Sequence, residues 1–162
     1  MRVRQLVRSQ KVQKADTGWR ADDMAPRWCP IYPKTRPNRA GWQWRSARVL
    51  GGGDEFILVA LVNPGRGDWK AVLMVKTMNG YSVVGRFEYH SSHPGQHFHS
   101  DCQRAGIEEG PTGMALPGRF PPAGSRHRRT AAFTPSSFWK AAREFFRIQD
   151  DFGPLYSSTN AA

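Results

Sequence analysis

The sequence predicts an α+β domain: a four-stranded, mainly antiparallel sheet, one C-terminal helix packed on one face, and long Pro/Gly-rich arms. Two patterns carry this expectation. FILVALVN (56–63), WKAVLMVKTM (69–78) and YSVVGRFEYH (81–90) are successive runs dominated by β-branched, aromatic and other apolar residues, parted by Pro64-Gly65 and by Asn79-Gly80. Runs of this kind read as strands, and Asn-Gly between two of them is a strong hairpin signal. Farther on, Phe138, Ala141, Ala142 and Phe145 recur at helical spacing behind Thr134-Pro135. A threonine N-cap followed by proline at the first helical position is how such a helix begins.

Each element follows in order from these signals. The chain reads as one domain over 1–162, since this length buries one core. Residues 1–41 form a basic N-terminal arm. It starts with a short amphipathic helix through Val3, Leu6 and Val7, then becomes an irregular wrap because Pro26, Pro30, Pro33 and Pro37 forbid regular structure. Residues 42–102 hold the sheet and a histidine cluster, with the Trp42/Trp44 alternation giving the fourth strand. Gly85 within YSVVGRFEYH marks a bulge or a close backbone approach. A Gly/Pro-rich loop spans 103–133, the helix 134–148, and a loose tail 149–162.

Charge is unevenly spread. Residues 1–50 carry 12 Lys and Arg against 3 Asp and Glu, residues 51–110 carry 5 against 7, and residues 111–162 carry 7 against 3, within a net charge of +11. Two basic ends flanking a near-neutral centre suit a polyanion, of which nucleic acid is the commonest, or an acidic partner protein. No stretch has the apolar length of a membrane span, and the basic N-terminus lacks the apolar core of a secretory signal. Cys29 and Cys102 are too few for a disulfide framework, so a cytoplasmic protein with free thiols is expected. Gly51-Gly52-Gly53 is no phosphate loop, because no Gly-Lys-Ser/Thr follows it. Trp19, Trp28, Trp42 and Trp44 lie among cations, and they read as anchors for the arm ahead of stacking platforms.

Four of the five histidines fall within ten positions: His90, His93, His97 and His99. Pro94-Gly95 turns the chain, and an extended course from Gln96 would put His97, His99 and Asp101 on one face. Three readings fit. As a metal site, His93, His97, His99 and Asp101 would ligate zinc or another divalent ion, although the glutamate that follows HxH in cupin-type sites is missing. As a metal-free ribonuclease site, the histidines would transfer protons while Arg86, Arg126, Arg128 and Arg129 hold phosphate. As structure, the cluster would cap strands. In the second reading, Arg86, Glu88 and His90 share a polar strand face while Phe87 and Tyr89 pack on the helix.

The segment 55–102, with Gly85-Arg86-Phe87-Glu88-Tyr89-His90 running into His93 and then His97-Phe98-His99, resembles the RelE/barnase-type endoribonuclease toxins, the TumE-like proteins among them. That resemblance implies metal-independent RNA cleavage and a cognate antitoxin covering the site. The expected function is therefore a toxin-type endoribonuclease using His90, His93, His97 and His99 without a cofactor. A metal-binding HxH protein and a non-catalytic nucleic-acid-binding or assembly protein are the alternatives.

Overall fold

The structure, a computed structural model, describes residues 3–31, 40–90, 96–99 and 133–151, with the backbone course alone at 3, 4, 90 and 96–99. It overturns the expected four-stranded α+β layout. The chain is mostly β: one mixed sheet of seven strands, curled as a half-barrel, with little helix. The strands are β1 (Lys11–Asp16), β2 (Gln43–Gly51), β3 (Asp54–Asn63), β4 (Asp68–Thr77), β5 (Gly80–His90), β6 (Gln96–His99) and β7 (Ile148–Gln149). Their spatial order is β6-β5-β4-β3-β2-β1-β7, and β7 runs parallel to β1 while every other pair is antiparallel. The helices are α1 (Val3–Arg8) and α2 (Pro135–Phe145).

The extra strands have a common physical origin. β1 reads KVQKAD, which has neither apolar alternation nor β propensity, yet it pairs with β2 because that edge is otherwise open. The pairing continues past β1 as the Arg20–Trp44 bridge, so the expected arm of 1–41 is partly sheet. The expected helix of 134–148 ends at Phe145 because Arg147 takes φ 55° and redirects the chain into β7. Thr134 caps α2 through a reciprocal pair with Ser137.

Turn chemistry sets the registers of the central strands. Gly51 pairs with Asp54, leaving Gly52 and Gly53 at φ 60° and 87°, the left-handed pair that a two-residue hairpin needs. Gly51 itself lies so near β1 that a Cβ there would sit 2.4 Å from the Gln10 carbonyl oxygen. Between β3 and β4, the Asn63 side chain accepts the Arg66 amide at 3.2 Å and closes the Pro64 turn. In β5, Leu73 pairs with Gly85 but Met74 with Val83, so Val84 is the extra residue of a bulge.

Both faces of the sheet are covered, which explains why β3 is an unbroken apolar run. On one face Phe138, Trp139, Ala142 and Phe146 of the α2 region pack over Phe56, Leu58, Leu73 and Phe87. Phe87 stacks on Phe138 at 5.8 Å and on Phe145 at 5.0 Å. On the other, Met24 and Cys29 from the arm cover Ile57, Val59, Val72 and Met74. The arm is tied down by hydrogen bonds from Trp44 Nε1 to the Asp22 carbonyl (2.6 Å) and from Ser46 Oγ to the Trp28 carbonyl (2.8 Å).

One buried cation holds the two helix ends together. Lys11 is fully buried, and its ammonium donates to the Val7, Ser9 and Phe146 carbonyls at 3.3, 2.8 and 3.1 Å. Those oxygens are the ones left over where α1 and α2 end, where a cation also meets the negative end of the helix dipole. Burial, and secondarily Arg147, pulls the Lys11 ammonium down to about 8.

Candidate nucleic-acid interface

Antiparallel register aligns side chains in rows across the sheet, because directly opposed residues share a face. One row runs Trp44, Leu61, Lys70, Glu88, His97; the next runs Ser46, Val59, Val72, Arg86, His99. Asp68 pairs with His90 in the adjoining row. Among the described side chains of these rows, Trp44, Leu61, Val59 and Val72 belong to the cluster on the face away from α2, and Lys70, Glu88 and Arg86 share that face. The row positions of His97 and His99 thus fall opposite a carboxylate and a guanidinium.

Glu88 is the centre of this group. Its side chain is only 6% exposed, and its Oε1 lies 3.7 Å from Lys70 Nζ and 3.4 Å from Arg86 Nη1. A buried carboxylate is costly unless paired, and here two cations compensate it. Lys70 and Arg86 each remain about a third exposed, so both cations reach solvent while the carboxylate does not. Phe87 and Tyr89, the alternate residues of β5, face the helix side, where Tyr89 meets Phe133 edge-on at 5.5 Å. The strand therefore sorts packing residues from ionisable ones by its period of two.

A second ionisable network on this face has a structural role. Tyr81 Oη donates to Glu55 Oε1 at 2.7 Å, and Lys76 Nζ reaches Glu55 Oε2 at 2.9 Å. The hydrogen bonds from Lys76 and Tyr81 hold the Glu55 carboxyl below its ordinary range. Burial, followed by the bond to Glu55, pushes Tyr81 up to about 12, which removes it from proton transfer near neutrality. The network clamps β3, β4 and β5 at the end remote from the histidines.

Of the residues expected to act, Arg86 is placed with Glu88 and Lys70, and the backbone positions of His90, His97 and His99 join them through the ladder. His93, Asp101, Arg126, Arg128 and Arg129 lie outside the described residues. Among the described residues no group of three or more His, Cys, Asp or Glu forms a metal-holding cluster. No helix of the described residues is long and apolar enough to cross a membrane. Sequence reasoning missed Lys70, although a charge inside the apolar run WKAVLMV was its signal. The chain matches no family model, no curated protein and no solved structure.

Proposed function

We propose that the β4–β5–β6 end of the sheet is a metal-independent RNA-cleaving site. The observation that carries this reading is the register that sets His97 opposite Glu88 and His99 opposite Arg86, with Lys70 next to Glu88. Cleavage by an internal 2′-hydroxyl needs a base for that hydroxyl, an acid for the departing 5′-oxygen, and cations for the phosphate. His97 and His99 share the proton transfer, with Arg86 and Lys70 on the phosphate. His90 and His93 complete the proton-transfer set, and Arg126, Arg128 and Arg129 are further phosphate ligands. The partner is then RNA, the location cytoplasmic, and an acidic antitoxin-type protein would cover the basic surface.

A metal at the same place is less well supported by the electrostatics. The Glu88 carboxylate is already compensated by Lys70 and Arg86, whose positive charges would oppose a bound cation. The test is cleavage of labelled single-stranded RNA in the presence of a chelator. His97→Ala with His99→Ala should lower the rate by about 10² to 10⁴ while leaving thermal unfolding in place. Equal cleavage by that double variant would refute the assignment, and cleavage that requires added divalent metal would transfer the site to metal chemistry.

A further inference from the structure

A second group of cations stands on the same face of the sheet at the β2 side. Trp28 is half-buried at the end of a short 3-10 turn (Pro26–Trp28), its backbone tied to Ser46 of β2. Two exposed arginines sit over its ring: Arg27 at 5.9 Å and Arg48 at 5.5 Å from the centroid. Arg48 is the second residue after Ser46 on the same strand, so the indole and this guanidinium are positioned by one element.

These two arginines form no direct ion pair among the described residues. Arg20, Arg45 and Arg143 are each matched to an aspartate: Asp22, Asp16 and Asp150. Arg27 and Arg48 instead lie over the Trp28 ring; Arg48 is also within coulombic reach of Glu55, whose oxygens are bound by Lys76 and Tyr81. An indole under two exposed guanidiniums that form no direct ion pair offers flat surfaces for a base and positive charge for a phosphate. Single-stranded nucleic acid is the polyanion that uses both, whereas an acidic peptide uses only the charge.

We infer that Trp28, Arg27 and Arg48 form a stacking and phosphate platform for single-stranded RNA, separate from the histidine site. This inference rests on RNA being the ligand of the face and extends the reading above by supplying a subsite for the strand being cut. From β2 to β6 is four strand spacings, on the order of 19 Å. A few extended nucleotides cover that distance without passing to the α2 side of the sheet.

The experiment is titration of the full chain with a short fluorescein-labelled oligouridine, and separately with an RNA duplex of equal length, by anisotropy. The His97→Ala, His99→Ala background keeps the probe intact. Trp28→Ala should weaken oligouridine binding about tenfold and affect the duplex less. Arg27→Gln with Arg48→Gln, both at exposed positions, should lower the slope of log affinity against log salt by about one for each phosphate contact removed. The arginine variant keeps the test decisive if Trp28→Ala fails to fold. Unchanged oligouridine affinity and salt slope in that variant would overturn the platform, as would failure of the parent to bind oligouridine. Tighter binding of oligoglutamate than of oligouridine would overturn it in favour of an acidic protein. In the chain with its histidines restored, cleavage with platform-independent binding would leave the ribonuclease reading standing alone. Platform-dependent binding without cleavage would do the reverse.

Discussion

The two faces of the sheet are made by alternate residues of the same strands, yet they differ in kind. Toward α2, β4 and β5 present Trp69, Ala71, Leu73 and Phe87 to a layer of aromatic rings. Away from it, the same strands present Lys70, Arg86 and Glu88 beside Val72 and Met74. The first face excludes water and contributes stability in proportion to the apolar area it buries. The second keeps a buried carboxylate between two solvent-reaching cations, an arrangement that contributes little net stability and leaves charge available for a ligand. The comparison teaches that a period of two is enough to separate what holds this chain together from what can act on a partner.

Substitutions on the two faces should therefore fail in different assays. Phe138→Ala on the helix side deletes a ring packed on Trp69, Phe87 and Phe133 and should cost about 3–5 kcal/mol in denaturant unfolding. A loss below 1 kcal/mol would mean that α2 is only loosely docked. Arg86→Gln on the other face should instead reduce RNA cleavage by roughly tenfold or more through lost phosphate stabilisation. Because the substitution also removes one of two cations from buried Glu88, the double variant Arg86→Gln, Glu88→Gln is the control. It should recover stability without recovering cleavage; recovery of cleavage would show that Arg86 acts only by holding Glu88.

Smaller effects sharpen the account of the helix side. The folded chain releases the Lys11 proton near 8, whereas the unfolded chain holds it up to the ordinary lysine value of 10.5. Between those limits the unfolded state binds more protons, so this group makes stability rise with pH; below about 8 both states are protonated and its slope vanishes. Relative to Lys11→Met, the parent should gain about 1 kcal/mol between pH 8 and 9.5 once solvent screening is allowed for. Parallel pH profiles of the two proteins would show that the ammonium stays protonated on its three carbonyls. Thr134→Ala, which removes the α2 cap, should cost about 1 kcal/mol by the same unfolding measurement, with cleavage unchanged.

Much of the central architecture was legible from local pattern. The four strands from Trp42 to His90 declared themselves by apolar runs and turns, and α2 by its cap, because these signals act over a few residues. Helical spacing predicts a stripe of Phe138, Ala141, Ala142 and Phe145, whereas Phe138, Trp139, Ala142 and Phe146 are the buried set. Trp139 and Phe146, off that stripe, are expected from the sequence to meet the N-terminal arm or a partner, and Trp139 does meet Trp19 of the arm, edge-on at 6.3 Å. Lys11 was invisible: a lysine in a polar segment reads as solvated until two helix ends converge on it.

The sequence by itself determined the alternation within each strand, and with it the separation of Arg86 and Glu88 from Phe87 and Tyr89. Its period of two follows from the backbone of a single strand and requires no partner. Only the tertiary structure decided that β1 and β7 extend the sheet, that Lys70 stands beside Glu88, and that His97 and His99 fall opposite Glu88 and Arg86. Those relations depend on which open edge a strand joins and in what register. Edge pairing draws on backbone hydrogen bonds that every residue can make, so the amino-acid pattern of one segment does not specify them.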